Sequence, residues 1–353
     1  MAGAKCVDAR LRWVCERLLP ENAAGVGAFA WTGKRRGQLK ALFTGEIHNP
    51  CIVSFAPSLT FALAQLAGMA VADAAPEVPR LRGAQDLFDQ GRLLATGGVT
   101  TVEGAGGGGL VPWATITGYG TEDAIGVNAH ATIVDTGDYR LETAGLAIGL
   151  FDRLELSYAH QWFDTKQVGA VLGLGAGYRI EQDVFGAKLR LFGDLVYDQD
   201  TLLPQVAVGV QYKINNRGDL LTAIGAGDDD GVDYYVSATK LFLAESLLAN
   251  VTLRYTKANQ FGILGFGGDL NDDYELQFEG SVAWLLDRHF AIGAEYRAKP
   301  DNLGIAAEDD AFDVFAAFFP SKNVSVTIAY ADLGNIVIRD RQRGVYLSLQ
   351  AGF

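Results

Sequence analysis

What most constrains this chain is a strict apolar–polar alternation, in segments of about ten residues, that recurs from residue 125 to the carboxyl terminus. Period two is the repeat of a β-strand, whose successive side chains point to opposite faces. In one segment Val324, Val326, Ile328 and Tyr330 alternate with Asn323, Ser325, Thr327 and Ala329. In a second, Val251, Leu253 and Tyr255 alternate with Asn250, Thr252, Arg254 and Thr256, and in a third Phe290, Ile292, Ala294 and Tyr296 alternate with Ala291, Gly293, Glu295 and Arg297. A sheet with one greasy and one wet face has two outlets: a soluble sandwich, or a closed barrel with its greasy side in hydrocarbon. The chain is 49% hydrophobic yet has no interior run of twenty apolar residues, which excludes a helical membrane protein.

The alternation predicts strands at 125–136, 138–150, 154–164, 183–192, 203–213, 232–243, 247–258, 272–285, 289–298, 311–319, 323–332 and 343–353, with weaker segments at 93–102 and 113–119. That is twelve strands, or fourteen if both early segments join. Tight links at 151–153, 244–246, 286–288 and 320–322 alternate with long ones at 165–182, 214–231, 259–271, 299–310 and 333–342; only 193–202 is of middling length where a short turn is due. Short periplasmic turns and long external loops characterise outer-membrane barrels. The expected fold is therefore all-β: a transmembrane, antiparallel, up-and-down β-barrel in the outer membrane of a Gram-negative bacterium, with Phe353 on the periplasmic side.

The amino-terminal part reads as an export signal. Lys34, Arg35, Arg36 and Lys40 precede an apolar stretch from Cys51 to Ala72, and the series Ala72-Asp73-Ala74-Ala75 follows. The expected division is a disordered leader over 1–46, from a start codon assigned too far upstream, a cleavable signal segment over 47–74, a periplasmic segment over 75–91 and the barrel over 92–353. Cys6, Cys15 and Cys51 all lie ahead of the expected cleavage after Ala74, so the mature part offers no thiol for catalysis or metal binding. Residues 1–74 hold 8 Lys or Arg against 5 Asp or Glu, so the body beyond them is more acidic than the net −13 of the whole chain. Nucleic acid is excluded as a partner. Near the end, Val345, Leu347, Leu349, Ala351 and Phe353 share one face and the chain stops on an aromatic residue. This resembles the assembly signal read by the barrel insertion machinery, the partner it implies, although Tyr346 falls on the lumen face.

Several segments carry a family resemblance: Leu94-Ala95-Thr96-Gly97-Gly98-Val99, Val102-Glu103-Gly104-Ala105-Gly106-Gly107-Gly108, Pro112-Trp113, Ser237 to Leu243, and Lys257-Ala258-Asn259-Gln260-Phe261-Gly262. Together they resemble the proteobacterial family catalogued as domain of unknown function 3034 over roughly residues 92–353. The resemblance implies an exported barrel and no assigned activity.

Candidate chemistry is sparse. The Gly104–Gly109 run lacks the Lys-Ser/Thr pair of a phosphate loop and reads as a flexible or bulged connection. His48, His130, His160 and His289 show no metal-ligand spacing, and no cofactor is expected. Ser157 and His160 are three apart, so on a strand they face opposite ways, and His160 with Trp162 reads as interfacial. A lipid-modifying enzyme would need a Ser or Asp meeting His160 at the membrane rim; no enzyme is expected. The lumen-lining set is Glu155, Lys188, Arg190, Lys213, Arg254, Glu275, Glu279, Glu295, Arg297 and Asp313, with His130, Gln211 and Gln277. Such mixed charge suits either an open pore for small polar solutes, with a transverse field, or a plugged, non-conducting structural or interaction barrel. Acidic loop clusters, Asp228, Asp229 and Asp230 with Asp233, Asp269 with Asp272 and Asp273, and Glu308 with Asp309 and Asp310, read either as solubilising charge that repels neighbours or as cation bridges to lipopolysaccharide, which with outer-membrane lipid completes the expected partners.

Overall fold

The computed structural model describes residues 91–353 together with Leu87; the expected leader, signal segment and nearly all of the periplasmic segment lie outside the described residues. Two short strands, β1 (Val99–Thr100) and β2 (Gly106–Gly107), pair only with each other. Twelve longer ones follow: β3 (Ile125–Asp135), β4 (Arg140–Leu150), β5 (Leu154–Asp164), β6 (Arg179–Phe192), β7 (Gln205–Asn215), β8 (Asp230–Phe242), β9 (Leu247–Thr256), β10 (Glu275–Leu285), β11 (Phe290–Arg297), β12 (Ala311–Ser321), β13 (Val324–Asp332) and β14 (Arg343–Gly352). Each pairs antiparallel with its chain neighbour, and β14 closes on β3, with Leu349 opposite Ala131. Closure removes every sheet edge, so each wall strand finds main-chain partners on both sides.

Every strongly alternating segment became a wall strand. The weaker segments 93–102 and 113–119 did not: neither joins the barrel, so the strand number is twelve rather than fourteen, and the wall starts at Ile125 instead of 92. The physical reason is that neither segment sustains the alternation. Residues 91–124 carry only the two-residue β1–β2 pairing, and from Thr100 to Gly120 every side chain is buried.

One face of the wall is apolar and exposed. Leu146, Ile148, Leu253, Phe278, Ile292, Val314, Ile328 and Leu347 all point outward. At the end of the short turns the outward belt carries Trp284, Phe290 and Phe318, with Phe290 and Phe318 stacked at 4.5 Å. At the end of the long loops it carries tyrosines, two of which donate their hydroxyl to an aspartate, Tyr212 to Asp230 (2.9 Å) and Tyr296 to Asp310, while Tyr158, in the middle of β5, donates to Asp183 (2.7 Å). Amphipathic rings flanking an apolar band are the signature of two water–hydrocarbon boundaries.

Helices α1 (Lys166–Val171) and α2 (Gly218–Ala223) belong to the long-loop end. With a 3-10 turn at Asn259–Gly262 and loops 299–310 and 333–342 they build a cap around Phe163, Val168, Leu221, Leu264, Ile305 and Val337. Gln260 (φ 43°) and Phe261 (φ 63°) adopt left-handed backbone in that turn, a conformation unfavourable for side chains with a Cβ. The distortion brings Phe261 to the lumen charges described next.

Candidate functional site: a plugged lumen

The inward positions of the wall are polar, as alternation requires, but they face no water. Residues 91–124 enter at the short-turn end and fill the interior. Their main-chain hydrogen bonds are shared between turns within the segment, such as Val102 N–H to Gly109 C=O (2.9 Å), and side chains of the wall. Glu155 accepts from the amides of Gly106 (2.9 Å) and Thr117 (2.8 Å), while Lys188 donates to the carbonyls of Gly106 and Thr115 (2.7 Å each). Glu295 accepts from Leu110 N–H (2.7 Å) and Arg297 donates to Leu110 C=O (3.0 Å). Thr239 accepts from Ala114 N–H and Gln205 donates to its C=O; Ser237 and Thr252 donate to Pro112 C=O, and Gln161 and Thr143 to Val102 C=O. Such pairing lets an irregular segment remain buried, since buried amides and carbonyls need partners of some kind.

The centre of the plug is Glu103. Its carboxylate takes two parallel bonds from Arg297, Nη1 to Oε2 at 2.7 Å and Nη2 to Oε1 at 3.0 Å, the planar fork geometry that suits a carboxylate. Lys213 donates to Oε1, and Arg254 lies 3.7 Å from Oε2. The wall holds these three cations from behind. Asp233 accepts from Lys213 (2.6 Å) and Arg254 (3.3 Å), Glu279 from Arg254 and from Arg297 (3.2 Å), and Gln211 from Arg254 (2.7 Å). Phe261 lies under the Arg297 guanidinium at 4.2 Å. Three cations (Lys213, Arg254, Arg297) balance three carboxylates (Glu103, Asp233, Glu279), so the cluster is neutral only while Glu103 is in place.

The lumen set expected from sequence is largely brought together here. Glu155, Lys188, Arg190, Lys213, Arg254, Glu279, Glu295, Arg297 and Asp313 are all buried, as are His130 and Gln211. Glu275 and Gln277 share the inward face but lie towards the long loops, partly exposed, where Asn271 and Gln277 donate to the Glu275 carboxylate. Arg190 belongs to the other end, where it and Arg92 of the plug both grip Asp152. Beside them a cavity of about 660 Å³ opens, lined by Thr96, Asp194 and Tyr197 among others.

Sequence reasoning missed Glu103 and the plug. A signal was present: Glu103 is the sole charged residue between Leu93 and Thr121. An isolated charge in an otherwise uncharged, glycine-rich stretch suggests a buried partner of opposite sign.

Several of the loop acids have protein partners. Lys257 Nζ sits between Asp228 and Asp272 at 2.9 Å from each. Asp230 and Asp310 accept from tyrosines, and Asp269 from Gly304 N–H. Among the described residues, no group of three or more His, Cys, Asp or Glu is arranged to hold a metal ion. On the outer face an aspartate does meet His160: Asp183 Oδ1 is 2.7 Å from Nδ1, and Trp162 packs edge-on at 4.4 Å. The hydroxyl that joins them is phenolic, Tyr158 donating to the same Asp183 Oδ1 at 2.7 Å. The residues opposite His160 on the adjacent strands are Ala144 and Asp183, and Ser157 is buried on the lumen side.

A family model described as "Protein of unknown function (DUF3034)" matches residues 96–350. No curated protein matches the sequence. Similar solved structures include the KdgM porin (8% identity, TM-score 0.39, covering 65% of this chain and 98% of that one), the NanC porin (11%, 0.41, 64% and 98%) and outer membrane phospholipase A from Escherichia coli (10%, 0.38, 67% and 94%). At such identities and scores the likeness carries no argument about activity.

Proposed function

The chain belongs to the family described as Protein of unknown function (DUF3034), and from that premise, which brings no activity with it, we propose that the protein is an outer-membrane barrel whose passage for small polar solutes is closed at rest by its own plug. The membrane location rests on the exposed apolar belt between two aromatic girdles. Closure rests on burial: Glu103, Lys213, Asp233 and Glu279 are 0% exposed, whereas a water-filled passage would leave them wet.

One observation carries the idea of a passage, namely the polarity of the plug–wall contact. A permanently dry interior is filled as well or better by apolar side chains, because replacing buried ion pairs with hydrophobic residues is often neutral or stabilising. A wall lined with Lys188, Lys213, Arg254, Glu279 and Arg297 is suited to being wet in another state. The cap, by contrast, has an apolar core. That core favours a second reading, a non-conducting barrel that presents its loops to a partner, because the cap closes the outer mouth independently of the plug.

Planar-bilayer recording separates the two. The intact protein should insert silently, and a variant lacking residues 93–117 should show discrete, long-lived conductance steps. A stably inserted deletion variant that stays silent removes the passage and leaves the interaction barrel.

A further inference from the structure

We propose that Lys213, Arg254 and Arg297 form a built binding site for the carboxylate of a small anionic solute, and that Glu103 is its resident occupant in the closed state. The inference deepens the proposed passage and rests on it for its biological use, but the site itself is argued from the cluster's own geometry.

First, the occupant and the site come from different parts of the chain. Glu103 rides on the plug, whereas all three cations project from wall strands β7, β9 and β11. Second, wall and cap groups hold all three cations, although Arg297 also donates to the plug's Leu110 carbonyl at 3.0 Å. Asp233, Glu279 and Gln211 hold Lys213, Arg254 and Arg297 by their far sides, the Phe261 carbonyl accepts from Lys213 at 3.1 Å, and the Phe261 ring backs Arg297. A site preorganised in this way loses little side-chain freedom when it binds. Third, the charge count calls for an anion. Without Glu103 the remaining groups, Lys213, Arg254 and Arg297 against Asp233 and Glu279, carry one uncompensated positive charge out of contact with solvent. Fourth, the geometry selects the ligand class. Arg297 grips both oxygens of Glu103 in parallel while Lys213 caps one of them, which suits a planar carboxylate better than a spherical halide.

The test is chemical rescue in the full chain. Glu103→Ala removes the carboxylate and leaves room for acetate. Thermal unfolding in detergent is followed in sodium acetate and in sodium chloride at equal ionic strength. The expected result is a lowered Tm in chloride that acetate raises saturably, recovering at least half of the loss, with no acetate effect on the wild type. Acetate acting no differently from chloride overturns the proposal. Should Glu103→Ala give no folded protein in chloride, the refolded yield in acetate becomes the readout, and an equal absence of yield in both overturns it. Glu103→Gln, with the same shape but no charge, is expected to melt below the wild type; an unchanged Tm overturns the proposal as well. Successful acetate rescue alongside a silent plug-deleted barrel would uphold the site while removing the passage.

Discussion

Gly209 on β7 shows how a single residue is fixed by what it faces. It sits directly opposite Tyr235 on β8, and a Cβ at Gly209 would stand 2.1 Å from the tyrosine ring. That ring in turn lies 5.2 Å from the Arg254 guanidinium, so the glycine makes room for an aromatic that supports the central charge cluster. Gly293 relates to Phe315 in the same manner, with 2.5 Å left for a Cβ. Gly209→Ala should therefore cost about 1–3 kcal/mol through overpacking. Combining it with Tyr235→Leu should cost less than the sum of the two changes, a coupling that urea unfolding of the four proteins in a double-mutant cycle measures. Strict additivity would mean that the ring and the glycine do not constrain each other. Glu103 is fixed more strongly. Removing one partner from a buried ion cluster leaves an uncompensated charge and costs about 3–5 kcal/mol in other proteins.

Single elements differ in how far they could be read in advance. All twelve wall strands were legible because each is wet on one side and greasy on the other, and the environment repeats every two residues. The inward charges were legible for the same reason, down to Glu279 and Arg297. The plug was not, because periodicity reports regular main-chain pairing and residues 91–124 satisfy their main chain through irregular turns and through side chains such as Glu155, Lys188, Glu295 and Gln205. Nor was the cap, whose contacts join loops far apart in sequence. Within it Lys299 and Glu308 form a nearly buried ion pair at 2.9 Å, with the Gln260 backbone and Asp301 close by. Burial pushes the Glu308 carboxyl above its ordinary value of 4.5, against the pull of Lys299. A folded-state value above the unfolded one means that the neutral form favours the docked loop. The contribution is complete below about 4.5 and fades as the pH climbs through the raised value. In urea unfolding across the acid-to-neutral range, the wild type should accordingly lose stability relative to Glu308→Gln as pH rises. Parallel pH curves for the two proteins would assign Glu308 no such role.

Taken whole, the molecule joins two kinds of cohesion that need not fail together. The wall is a closed ladder in which each strand bonds to both neighbours, from Ile125 on β3 round to Gly352 on β14. The plug has the β1–β2 pairing, a few internal turn bonds and a set of side-chain clamps, and those clamps are polar groups that water can replace. Opening free energies within a protein follow the density of such cooperative bonding, from near zero at loosely held segments up to the global value in the core. Plug amides should thus exchange through an opening that leaves the wall intact. In hydrogen exchange on the detergent-solubilised barrel, peptides spanning 100–117 should take up deuterium well before peptides from β3 to β14, even though every residue from 100 to 117 is buried in the closed state. Adding Glu103→Gln should speed exchange in the plug peptides and leave the wall unchanged, since it weakens the plug's central anchor and touches no strand pairing. If plug and wall amides exchange together, at rates set by global unfolding, then the plug is an inseparable part of the barrel's core, and no passage can open without dissolving the fold.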